Sequence, residues 1–273
     1  MPDRWESINV DGWFPEGAGN IAAEPLGGKD KFWITGPDGS RYLFKFARCD
    51  PDGTNVRGED WAEWAVHQLA QLIGVPTAVA VPATFRGRRG ILSRALWRTP
   101  EQLIHGNELL AKVDPGYDAA EPRQNAGYTV EAVHVALADV AAPQGAPPIL
   151  FGFDAWAGYL VLDAWVAGRD RHHENWAVIE RSGSLRLAPS YDHGNALGFQ
   201  ESEQRIVELA ADDAQLARWC RKGTSFHFAG RPALVDLADA ALELAGSAVE
   251  AYWRSKLGAV TVDQVSAIFE AIP

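Results

Sequence analysis

Apolar residues recur along the first hundred positions in two rhythms. Lys31–Thr35 and Arg41–Ala47 are short mixed runs on either side of Gly36-Pro-Asp-Gly39, and that pattern predicts a β-hairpin. From Glu59 to Ile73 the apolar positions Ala62, Ala65, Val66, Leu69 and Ile73 fall at i, i+3, i+4, i+7 and i+11, one face of a helix. Gly74 and Pro76 supply its stop. Two more strands, Ala78–Phe85 and Gly90–Leu96, flank Arg86–Arg89, whose Arg-Gly-Arg-Arg run reads as a solvated tip. After Arg98 helical periods take over, at Thr129–Val140, Phe151–Val166, Glu201–Trp219, Pro232–Leu244, Ser247–Leu257 and Asp263–Ala271. Asp114–Gln124 and Ala141–Pro148, rich in Pro, Gly, Asp or small residues, read as exposed connections. The expectation is an α+β chain of two lobes, a β-rich one with a single helix over 1–97 and a mostly helical one over 98–273.

Length and composition fit that division. With 273 residues, 47% of them hydrophobic and 22% charged, the chain can bury a large core or two lobes sharing a cleft, and wholesale disorder is excluded. The 25 Lys and Arg against 36 Asp and Glu leave a net charge of −11, so nucleic acid is a poor direct partner and any anionic ligand must be held by a few placed cations or a metal. The N-terminus shows neither a basic start nor an apolar stretch, and no window reaches the ~20 apolar residues of a membrane span, so the expected location is the cytoplasm. Cys49 and Cys220 lie far apart without a CxxC partner and are expected to be ordinary buried thiols. Trp61, Trp64, Trp156, Trp165 and Trp176, five of eleven tryptophans, fall in or beside predicted elements as core and packing material.

The candidate chemistry lies where a helix ends at Gly168, crosses the polar run Arg169-Asp-Arg-His-His-Glu-Asn175 and enters a strand at Trp176–Glu180. Arg169-Asp170 followed by Asn175 has the R-D-x-x-x-x-N spacing of the protein-kinase catalytic loop, in which the Asp takes the acceptor's proton and the Asn holds magnesium. Seventeen residues on, after a hairpin through Arg181-Ser-Gly-Ser184, Asp192-His-Gly194 stands where that pattern has D-F-G, whose Asp binds the metal bridging the phosphates. Phosphoryl transfer needs positioning and countercharge more than covalent help, and hard magnesium wants oxygen ligands, which Asn175 and Asp192 offer. Lys45, among apolar neighbours on a strand, stands where the pattern has its phosphate-binding Lys. Glu63, eighteen residues on and at the edge of the apolar stripe, can reach inward to pair with it.

Together these residues resemble a family. Lys45-Phe-Ala, Ala62-Glu63-Trp-Ala-Val-His-Gln-Leu-Ala, Asp170-Arg-His-His-Glu-Asn175-Trp and Leu187-Ala-Pro-Ser-Tyr-Asp192-His-Gly look like the C-terminal kinase region of the HipA-like Ser/Thr kinases, over about Gly27 to Phe199. The Asp-Arg-His-x-x-Asn string also resembles the phosphatidylinositol kinases, so transfer to a lipid headgroup or small alcohol is a second reading, and an ATP-binding pseudokinase scaffold a third. The resemblance implies a bilobal kinase-like fold that uses ATP and Mg2+. It implies Asp170 as the catalytic Asp, Lys45 on the nucleotide phosphates with Glu63 beside it, and Asn175 with Asp192 on the metal. It also implies nucleotide contacts from Gly27, Gly28, Lys31 and Tyr191, and from a hinge at Ser93 and Ala95. The implied acceptor is a protein Ser or Thr hydroxyl, the chain's own included. The chain lacks the length for the extra N-terminal subdomain of full-length HipA toxins, which puts an antitoxin-type partner in doubt.

Leu26-Gly-Gly-Lys-Asp-Lys31 is the better phosphate-loop candidate, although an ordinary turn reads equally well there. Gly17-Ala-Gly-Asn-Ile-Ala22 fits G-x-G-x-x-A, but Pro25 and Gly27 prevent the helix that a dinucleotide site requires. His172, His173 and His193 lack zinc-ligand spacing and read instead as hydrogen-bonding supports of the loop.

Overall fold

The computed structural model describes residues 5–13, 31–49, 57–147 and 150–273. In chain order the elements are β1 (Ile8–Asn9), β2 (Lys31–Thr35), β3 (Arg41–Phe46), α1 (Glu59–Ile73), β4 (Ala80–Phe85), β5 (Arg88–Arg94), β6 (Gln102–His105), α2 (Gly106–Val113), α3 (Val130–Ala136), α4 (Gly152–Val166), β7 (Ala177–Arg181), β8 (Ser184–Leu187), α5 (Glu203–Ala210), α6 (Asp213–Lys222), α7 (Leu234–Ala245), α8 (Ser247–Gly258) and α9 (Val262–Glu270). The N-terminal region is a five-stranded mixed sheet in the order β1-β4-β5-β3-β2, crossed by α1. The C-terminal region is helical around a three-stranded antiparallel sheet, β6-β7-β8. Among the described residues no helix is long and apolar enough to cross a membrane.

The period-two rule decides what each face of the large sheet carries. Phe44 is fully buried against Phe32, Phe85 and Leu92 in a small outer core. Lys45 and Leu43 point the opposite way. Ile91, directly opposite Lys45 on β5, belongs to the main core with Trp64, Ala65 and Leu69 of α1, so Lys45 faces the helix side. Helix α1 stops as expected: Gly74 is left-handed at φ 75°, its N–H bonds Gln71 O, and Val75 N–H bonds Ala70 O. Helix α4 is apolar all round, with twelve of its fifteen residues buried, and forms the centre of the C-terminal region. Gly158 lets Trp253 of α8 lie directly on it, since a Cβ there would fall within the indole.

Several expectations are corrected. Glu201–Trp219 is two helices, α5 and α6, because Asp212 caps the second by accepting from Ala214 N and Gln215 N at 2.9 and 3.0 Å. Arg86–Arg89 is exposed throughout, as expected of a solvated tip, although β5 already begins at Arg88. Arg88 lies in β5 over the Phe46 ring, and Arg89 donates to the buried Asp60 at 2.9 Å. Cys49 and Cys220 are exposed, not buried; Cys220 lies on α6, a helix with no buried residue. Helix Thr129–Val140 is shorter, at Val130–Ala136, with Thr129 as its cap. Strand β6 and helix α2 were not expected, because α2 opens on glycine, a poor helix former. Packing requires that glycine: a Cβ at Gly106 would collide with the Trp176 ring and the His173 carbonyl.

Candidate active site

Three elements converge on one crevice. Strand β3 holds Lys45 by pairing with Lys31 of β2 on one side and Ile91 of β5 on the other. Its ammonium lies 3.4 Å from both Glu63 carboxylate oxygens and 2.8 Å from Asp192 Oδ1. Burial opposes that charge, but the Asp192 and Glu63 carboxylates outweigh it and hold the lysine pKa above its ordinary value. The segment before Asp192 is tied to the connection between α1 and β4: Ala78 N–H bonds Ser190 O at 2.7 Å and Ser190 N–H bonds Pro76 O at 2.9 Å. Asp192 itself is left-handed at φ 61°, and Gly194 follows close to α1, where a Cβ would lie 3.3 Å from the Glu59 carbonyl.

The loop 168–175 has no regular hydrogen-bond ladder, so buried polar contacts shape it. Arg171 makes a two-point ion pair with Asp163 of α4, Nε to Oδ2 at 2.7 Å and Nη2 to Oδ1 at 2.8 Å, and donates from Nη1 to Asn175 O at 2.9 Å. Burial works against the guanidinium charge, and Asp163 more than compensates, raising its pKa. Tyr128 donates to Arg171 O at 3.1 Å and accepts from Trp176 Nε1 at 3.1 Å. The first N–H groups of α2 reach the same loop, Gly106 to Trp176 O and Asn107 to His173 O. Asn175 Nδ2 donates to Asp170 O at 2.7 Å, leaving its amide oxygen as the group available to a cation.

Asp163, Asp170, Arg171, Asn175, Tyr191, Asp192 and His193 line one small pocket open to solvent. The sequence-derived residues are thus distributed as follows. Lys45, Glu63 and Asp192 touch; Asp170, Asn175 and Asp192 share the pocket. Lys31 pairs opposite Lys45, and Ser93, opposite Leu43 on β5, shares that face. Ala95 lies just beyond β5, its N–H on Arg41 O at 2.9 Å. Tyr191 lines the pocket with its hydroxyl turned to Glu174 O at 2.7 Å. Gly27 and Gly28, like Gly17–Ala22, lie outside the described residues.

The histidines do not converge on an ion. His173 Nδ1 meets the Tyr117 hydroxyl at 2.5 Å, and His193 Nε2 meets Ser190 Oγ at 2.7 Å. No group of three or more His, Cys, Asp or Glu among the described residues is placed to hold a metal. Burial lowers the pKa of both rings, for His193 well below 6.5, where Arg171 and Lys45 add to the effect.

No protein-family model matches the chain, and no curated protein matches it either. Solved structures do. The crystal structure of the Helicobacter pylori proinflammatory kinase CtkA matches over 98% of this chain and 88% of its own, with a TM-score of 0.70 at 12% identity. Shewanella oneidensis MR-1 HipA, solved with HipB and operator DNA, matches over 95% of this chain and 65% of its own, with a TM-score of 0.48 at 10% identity. The chain has a kinase-like fold. Its mixed N-terminal sheet with the crossing helix α1 and its helical C-terminal region are that fold's two parts, as the sequence resemblance implied.

Three residues that shape the site were missed by sequence reasoning. Asp163 reads only as a break in an apolar helix, and Arg171 as one more basic residue in the loop. His227, whose Nε2 lies 2.9 Å from Asp170 Oδ1, is 57 residues away in the chain with no motif around it. A carboxylate inside an otherwise apolar helix was the available signal for the first, since such a group is buried only when paired.

Proposed function

We propose that the chain is an ATP- and magnesium-dependent phosphotransferase, a protein Ser/Thr kinase of HipA-like type, with 1–97 and 98–273 as its two lobes. The observation that carries the reading is the contact of Lys45 with Glu63 and Asp192 at the edge of the pocket that Asp170 and Asn175 line. The donor set fits magnesium: Asp192 is partly exposed, Asn175 offers an amide oxygen, and a cation with so few protein ligands keeps waters and phosphate oxygens, as magnesium does. Bound there, the ion would neutralise charge on the phosphates.

The chain's own residues would do the rest. Lys45, held on a strand and oriented by Glu63, supplies fixed positive charge to the phosphates. Asp170 orients the acceptor hydroxyl; its oxygen attacks the terminal phosphorus, the bond to the bridging oxygen breaks, and the hydroxyl proton passes to the Asp170 carboxylate. Ser93, Ala95 and Tyr191 would meet the nucleotide from the hinge side.

Incubation of the wild type with labelled ATP and magnesium, beside Asp170→Asn and Asp192→Asn, tests the reading with protein, lipid and small-alcohol acceptors offered in parallel. Transfer by the wild type and loss of about 10²-fold or more in each variant are expected. Label on a lipid or small alcohol alone would replace the protein-kinase reading, and tight nucleotide binding without transfer to any acceptor would make the chain a pseudokinase.

A further inference from the structure

His227 belongs to none of the motifs above, yet its side chain is buried, 10% exposed, and meets the carboxylate on which the proposed chemistry depends. Nε2 lies 2.9 Å from Asp170 Oδ1, and Nδ1 lies 2.6 Å from Pro122 O. Both partners are oxygens that can accept a ring N–H. The His172 ring stands against it at 5.2 Å between centroids. Arg169 and Arg231, from the loop and from the turn after His227, lie over the neighbouring Phe226 ring at 5.0 and 4.8 Å.

The backbone around His227 is pinned from several directions. Asn125 N–H bonds His227 O at 3.2 Å, Gln124 N–H bonds Phe226 O at 2.9 Å, and Ala229 N–H bonds Tyr128 O at 3.0 Å. Tyr128 in turn holds the Arg171 carbonyl, so the segment that carries His227 and the loop that carries Asp170 share one support. The Asp170 side chain is 38% exposed, and its carboxylate can turn about its last torsion; a fixed donor on Oδ1 stops that turn.

We propose that His227 is a positioning residue for Asp170: it fixes Oδ1 and thereby leaves Oδ2 facing the acceptor hydroxyl. The assignment rests on the phosphotransfer reading above. A misplaced general base costs rate, not nucleotide affinity, because the ATP side of the crevice does not involve His227.

The test compares His227→Ala with His227→Gln, whose side-chain amide N–H reaches about where the imidazole Nε2 does. His227→Ala is expected to lower kcat about 10- to 100-fold with the KM for ATP unchanged. His227→Gln is expected to recover most of that loss, and in an Asp170→Asn background His227→Ala should cost nothing more. Wild-type kcat in His227→Ala, no recovery in His227→Gln, or an equal loss in the Asp170→Asn background would each overturn the assignment. Thermal unfolding of His227→Ala, Asp170→Ala and the double variant, in which each single change removes the contact, reads it without turnover. Non-additive shifts in Tm are expected, and additive shifts would overturn the assignment even where the wild type is active. A wild type that transfers no phosphate would sink the phosphotransfer reading, while the unfolding cycle still decides whether the contact exists.

Discussion

Lys45 and Asp170 approach the crevice from regions built on different principles. Lys45 is aimed by strand register: once β3 lies between β2 and β5, alternation alone turns residue 45 toward α1, and Glu63 meets it from the helix. Asp170 sits on irregular backbone, and what aims it is a set of buried polar contacts, the Asp163–Arg171 pair, the Tyr128 hydroxyl and the first N–H groups of α2. A repeating ladder tolerates the loss of one side chain. A loop held by a few charged bonds does not, because each lost partner leaves a buried group unsatisfied.

That contrast can be broken first on the loop side. Arg171→Met strands the buried Asp163 carboxylate and frees the Asn175 carbonyl, and should cost about 3–5 kcal/mol in denaturant unfolding. A loss under about 1 kcal/mol would show that the pair does not hold the loop. Tyr128→Phe, which removes one hydroxyl from the same support, should cost about 1–2 kcal/mol by the same measurement. On the strand side Glu63→Gln should move stability by no more than about 1 kcal/mol, since Lys45 keeps Asp192, while phosphotransfer falls about 10-fold or more. Equal stability losses at Arg171 and Glu63 would erase the distinction between the two regions.

The two regions were also unequally legible in the sequence. The hairpin Lys31–Phe46 and helix Glu59–Ile73 show in the order of residues because local period and turn chemistry specify them, and the position of Lys45 follows from that register. The spacing of Asp170, Asn175 and Asp192 was visible as a motif, but what holds the motif in shape was not. Asp163 and Arg171 are eight residues apart across a helix end, and His227 reaches Asp170 across 57 residues, so no short window contains either contact. Gly106 shows the same limit: its helix is set by Trp176, against local propensity.

The smallest expected effect comes from pH. Burial holds His172, His173 and His193 below the ordinary histidine value of 6.5. The unfolded chain therefore takes up protons there before the folded one does. Stability present above pH 6.5 should be lost progressively as pH falls below it, read as a declining Tm in the metal-free protein. A Tm that stays level or rises on acidification would contradict the buried, neutral rings.

On the proposed reading, Lys45, Asn175 and Asp192 hold one magnesium-nucleotide complex in a single crevice. Calorimetric titration of a non-hydrolysable ATP analogue, with and without magnesium, tests it in the wild type, Lys45→Met and Asp192→Asn. Magnesium-dependent binding in the wild type, loss of the magnesium effect in Asp192→Asn and weaker binding in Lys45→Met are expected. Equal affinity in all three proteins, or binding indifferent to magnesium, would contradict that reading.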